Sequence, residues 1–86
     1  MGEPVSEERQ RAYFERARKG VLQWVSAQGG SASLGDMHGY SEGKFLIAHQ
    51  GFSRMMESFV DEGLIVFDRG TGTATLTDAG QAFIGR

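Results

Sequence analysis

The chain has 86 residues, a size that fits one domain and leaves no room for two. Its 40% hydrophobic and 23% charged residues argue against wholesale disorder, and the absence of cysteine excludes both a disulfide frame and a thiolate metal site. The formal net charge of −2 bears on function, because proteins that live on phosphate contacts usually carry excess positive charge; any case for nucleic acid must come from where the charges sit.

Residues 1–5 read as a loose lead-in and 6–86 as a single domain. Ser6 predicts an N-cap, with Glu7 and Glu8 in the first turn where the helix dipole favours them. From there to Gln28 the pattern is helical: Phe14, Ala17, Val21, Leu22 and Val25 form one apolar face, and Gly29-Gly30 end it. Arg18 projects on the apolar side, so its stem is expected to pack while its head reaches water. Gly20 weakens the middle of this helix slightly. Ser33 suits the cap of a short helix that carries Leu34 and Met37 and closes at Gly39.

Ser41 predicts the start of a longer helix that runs to about Glu62 and ends at Gly63. On it Phe45, Ala48, Phe52, Met55, Met56, Phe59 and Val60 share an arc of about 140°. Gly51 leaves open whether one helix or two fill residues 33–62. The period then changes. Leu64-Ile65-Val66-Phe67 is β-rich, residues 68–72 have turn chemistry, and Thr73 to Thr77 alternates, which predicts a β-hairpin. Thr77 suits the cap of a closing helical turn, Asp78 to Ile84. The fold class is therefore mostly α with a small hairpin, α+β. The longest apolar run is too short to span a bilayer and no secretory pattern opens the chain, so a cytoplasmic protein is expected.

Helix, short helix, longer helix and hairpin follow one another in the order of a winged helix-turn-helix domain. The stretch Phe52 to Ile65, closing on Glu62-Gly63-Leu64-Ile65, and the return Leu76-Thr77-Asp78-Ala79-Gly80 carry the likeness. They resemble the part of bacterial winged-helix regulators where the recognition helix ends in Glu-Gly-Leu-Ile and the chain returns from the wing through Leu-Thr-x-x-Gly. The resemblance covers residues 6–84. It implies three helices plus a wing, with the helix from Ser41 entering the major groove amino-terminal end first.

On that helix the face opposite the apolar arc holds Gly43, Ile47, Gln50, Arg54, Glu57 and Asp61, with Lys44 and Ser53 at its margins. The resemblance gives this face, Ile47 and Ser53 included, to DNA. Gln50 suits adenine edges, Arg54 a guanine or a phosphate, and Lys44 and Ser41 phosphates. Glu57 and Asp61 repel phosphate and confine contact to the first three turns; the competing reading is a solvated face. At the wing tip Arg69 suits the minor groove or a phosphate, although Asp68 halves the local charge. Thr71 and Thr73 can donate to phosphate, and threonine is also a good hairpin residue. Arg9, Arg16, Lys19 and Gln23 form a stripe on the first helix that fits a DNA backbone, an acidic partner, or simply water, with Glu15 and Lys19 at the favoured i,i+4 spacing.

Tyr13 and Trp24, at one edge of the first helix's apolar face, either anchor a homodimer or belong to the domain's own core. His38 and His49 lack cysteine partners and i,i+4 spacing, so no metal is expected, and His49 is expected as a half-buried structural residue. No nucleophile elbow, phosphate loop or HExxH motif appears, so neither an enzyme nor a cofactor is expected. The leading expectation is a regulator that binds double-stranded DNA, as a homodimer. The alternative is a protein-interaction module of the same fold that uses Ile47 and the Tyr13/Trp24 edge as apolar anchors.

Overall fold

A computed structural model describes residues 7–85; the lead-in at 1–5, the Ser6 cap and Arg86 lie outside them. The described chain builds four helices and a three-stranded antiparallel sheet. Their order is α1 (Glu7–Ala27), β1 (Ser31–Ser33), α2 (Leu34–Phe45), α3 (His49–Asp61), β2 (Ile65–Asp68), β3 (Thr73–Leu76) and α4 (Asp78–Ile84). The class is α+β: to the three helices and wing that the resemblance implies it adds α4, the closing helical turn expected after Thr77.

The apolar stripe of α1 is the spine of the core: Ala17, Val21, Leu22 and Val25 are fully buried, against Met37 of α2 and Met55 and Phe59 of α3. Its first turns, Phe14 apart, are exposed, so α1 runs past the core at its amino-terminal end. Gly29 and Gly30 both take positive φ after the last turn, and the Gly30 N–H donates to the Val25 carbonyl. Glycine enters that region without steric penalty. Gly20 sits where α2 closes on α1, since a Cβ there would collide with the ring of Phe45.

The sequence between α1 and α3 folds differently from the reading above in two ways. Ser31–Ser33 pairs with β3, Ser31 opposite Thr75 and Ser33 opposite Thr73, giving the strand order β1-β3-β2. Three small residues carry no alternation signal, and the strand exists because β3 offers it an edge. The helix expected from Ser41 to Glu62 does not form as one piece. Ser33 does cap α2, its Oγ accepting from Asp36 N–H at 3.1 Å, but α2 continues through Gly39 to Phe45. Leu46 then turns left-handed (φ 56°, ψ 35°) and α3 starts at His49.

Burial explains the position of that break. In an unbroken helix Ile47 faces water, opposite the apolar arc; after the turn at Leu46 it is 9% exposed and joins the core. Burying an isoleucine is worth about 1.5–3 kcal/mol, enough to offset the roughly 1–2 kcal/mol of a left-handed leucine.

The hairpin β2–β3 pairs Ile65 with Leu76 through Asp68 with Thr73, burying Ile65 and Ala74 and leaving Val66 and Thr75 outside. Thr77 caps α4: its Oγ1 accepts from Gly80 N–H at 3.0 Å and donates to the Gly63 carbonyl at 2.6 Å. Gly80 is pressed against the chain that leaves α3. A Cβ there would strike the Leu64 carbonyl oxygen and stand 2.6 Å from Leu76 Cδ1.

Arg18 departs from expectation as well. Its head does not reach water, and the residue is only 5% exposed. Nη1 donates to Glu15 Oε1 at 2.6 Å and Nη2 stands 2.8 Å from Glu62 Oε2. The guanidinium lies over the rings of Phe59 and Phe83, 5.6 and 5.3 Å from their centres. Burial works against its charge, but the two carboxylates outweigh burial and raise its pKa above the ordinary value.

Candidate nucleic-acid interface

Helix α3 buries Phe52, Met55, Met56 and Phe59, which leaves the opposite side of the cylinder to solvent. In its first two turns His49, Gln50, Ser53 and Arg54 are all exposed. Together with Glu57 they line a shallow depression of about 270 Å³. Ala48, the N-cap residue, supplies no side-chain acceptor, so the amide groups at the positive end of α3 have no side-chain partner. Farther along, Glu57 and Asp61 continue the same outer row. Among the described residues neither forms an ion pair with Arg54.

A larger groove of about 500 Å³ separates α3 from the hairpin. His49, Phe52, Ser53, Met56 and Val60 form one side, Phe67 and Arg69 the other, and Leu34 at the start of α2 the end. The structure thus places Arg69 across a groove from Ser53 and His49. Thr71 is exposed in the hairpin loop, while Thr73 is half-buried in β3. The Asp68 carboxylate accepts from Gly70 N–H at 2.8 Å, which ties its charge into the turn.

Other residues named from the sequence lie elsewhere. Ser41 is fully buried inside α2 with its hydroxyl donating to the His38 carbonyl at 3.0 Å, so it neither caps a helix nor reaches a phosphate. Ile47 belongs to the core and has left the outer face. Lys44 is exposed in the last turn of α2. Arg16 is exposed and Lys19 half-buried on α1. No residue of the α1 stripe lines either groove.

The rings of α1 are used within the domain. Trp24 stacks on Tyr40 with centroids 4.9 Å apart, and the Tyr13 hydroxyl donates to the Phe45 carbonyl. Ile47 is in the core and Trp24 is stacked, while Tyr13, the third apolar anchor named for a protein-binding module, is 44% exposed. His49, expected half-buried, is exposed because α3 begins with it. His38 is half-buried instead, edge-on to His49 and Phe52 at 5.5 and 5.0 Å, with its Nε2 buried and without a hydrogen-bond partner. Among the described residues no three His, Asp or Glu side chains converge as a metal site, and no helix is long and apolar enough to cross a membrane.

Sequence reasoning missed the groove. Leu34, Val60 and Phe67 come from three elements, and Val60, expected within the apolar arc of the helix, is 49% exposed instead. Compared with protein-family models, with curated proteins and with solved structures, the chain matches none.

Proposed function

We propose that this chain is a winged helix-turn-helix domain that binds double-stranded DNA, with α3 as the recognition helix and the β2–β3 hairpin as the wing. One observation carries the reading: His49, Gln50, Ser53 and Arg54 are exposed together on the first two turns of α3, directly after the three-residue turn from α2. A recognition helix reads base edges with its amino-terminal residues. Gln50 suits adenine N6/N7, Arg54 suits guanine O6/N7, and Ser53 and His49 suit either a base edge or a phosphate. Arg69, which lines the groove beside α3, suits a phosphate or the adjoining minor groove. Two copies joined through the exposed first turns of α1 supply two such helices for two half-sites.

The charge balance sets the character of binding. Arg54 and Arg69 are offset by Glu57 and Asp61 on the same side, so sequence-independent attraction is weak and specificity rests on few contacts. With two or three phosphate contacts the slope of log K against log salt is about −2 to −3.

Selection from a pool of random duplexes, followed by anisotropy titration of a labelled enriched duplex at low and moderate salt, tests the reading. Enrichment of one motif, lost in Arg54→Ala, is the expected result. Absence of duplex binding even at low salt overturns it.

A further inference from the structure

The groove between α3 and the wing has chemistry that a duplex does not use. Its floor is Phe52 and Met56, and Leu34 and Val60 on its rim are 37% and 49% exposed, with Phe67 half-buried opposite. A phosphate backbone gains nothing from these side chains. On the α3 wall stand Glu57 and Asp61, four residues apart and both exposed, which repel phosphate outright. A volume of about 500 Å³ falls within the roughly 300–1,000 Å³ of ligand sites.

We propose that this groove docks a short amphipathic peptide segment of another protein, with apolar side chains between Val60 and Phe67 and a basic residue against Glu57 and Asp61. The charge balance of the walls selects the occupant. Two carboxylates face one arginine, so a segment with a lysine or arginine on its α3 side neutralises the excess, and an acidic segment meets repulsion. Docking of an apolar helix face into a groove is a recurrent mode of peptide recognition. The division of α3 follows: its first two turns suit bases, its last two a peptide. His49, Ser53 and Arg69 border both ligands, so the peptide and a duplex compete. Peptide docking stands apart from the DNA reading; only the competition rests on it.

The test uses the folded chain and a phage-displayed library of random peptides. Wild-type protein is expected to enrich peptides that join two large apolar residues to a lysine or arginine. Val60→Asp is expected to weaken a synthetic enriched peptide by about tenfold or more, as removal of a central anchor does. The double variant Glu57→Lys with Asp61→Lys is expected to favour acidic peptides instead, and it carries the test if Val60→Asp melts. No enrichment, enrichment of acidic peptides by the wild type, or a peptide affinity that Val60→Asp leaves unchanged overturns the proposal. A dimer in sedimentation velocity that Val60→Asp abolishes also overturns it, by naming a second copy as the occupant. Duplex titration of the same variants separates the two readings: retained duplex binding with lost peptide binding leaves α3 as a recognition helix, and the reverse leaves only the groove.

Discussion

Arg18 Nη2 stands 2.8 Å from the carboxylate of Glu62, which ties the middle of α1 to the residue that ends α3. The same guanidinium holds Glu15 and rests on Phe59 and Phe83, so three helices, α1, α3 and α4, meet at one side chain. Removing one partner strands a buried cation, whereas replacing the cation removes the need to desolvate it. Glu62→Ala is therefore expected to destabilise the fold by about 1–2 kcal/mol, at the low end for a buried pair because Glu62 itself is half exposed. Arg18→Ala loses the packed stem as well and is expected to be worse than Arg18→Met, which fills much of the same space. Urea unfolding midpoints rank the three. A raised guanidinium pKa stabilises at every pH below its unfolded value and is lost only as pH climbs past the folded one. Both lie far into the alkaline range, so Arg18 contributes no pH dependence near neutrality.

Leu46 is the only described non-glycine residue at positive φ, and it is 84% exposed. Its side chain has little packing to lose and its backbone is strained. Leu46→Gly or Leu46→Asn is expected to stabilise by up to about 1 kcal/mol, a rise of roughly 4–8 °C in melting temperature for a domain of this size. Leu46→Val, branched at Cβ, is expected to lower it. An unchanged melting temperature in all three would mean that the turn is not held left-handed in solution.

What the sequence made legible, and what it hid, follows from the same turn. The caps at Ser33 and Thr77 and the stripe of α1 are local signals, and each appears in the structure where the spacing puts it. The break at 46–48 depends on where Ile47 can be buried, and β1 depends on an edge of β3 more than forty residues later in the chain, so neither has a local signature. From His49 onward the helical phase is that of the expected helix, which is why Gln50, Ser53 and Arg54 emerge on the outer face. Ser41 precedes the break and Ile47 lies within it, and both end inside. The apolar groove needs three separate elements brought together, and no spacing records that.

Glycines of this chain divide by what surrounds them. Gly39 and Gly43, within α2, have open space where a Cβ would project, so Gly39→Ala and Gly43→Ala are each expected to stabilise by about 0.5–1 kcal/mol through helix propensity. Gly80 has the Leu64 carbonyl there, and backbone cannot rotate away as a side chain can. Gly80→Ala is expected to destabilise by about 1–3 kcal/mol, the range of overpacking, by pushing α4 off the end of α3. Thermal unfolding followed by circular dichroism separates the two groups by the sign of the shift.

Arg54 and Arg69 are both exposed cations near α3, but they are expected to fail differently. Arg54 lines the outer face of α3 with Gln50 and Ser53, the face proposed to read bases, so Arg54→Ala is expected to weaken an enriched duplex by about 1–3 kcal/mol and to relax preference at one base position. Arg69 lies across the groove on the hairpin, where a phosphate contact is sequence-blind. Arg69→Ala is expected to weaken enriched and random duplexes alike and to reduce the salt slope by about 1. Titrating both variants against both duplexes at several salt concentrations checks this. If Arg69→Ala changes base preference while the slope stays fixed, the hairpin reads bases and the assignment of the two arginines is reversed.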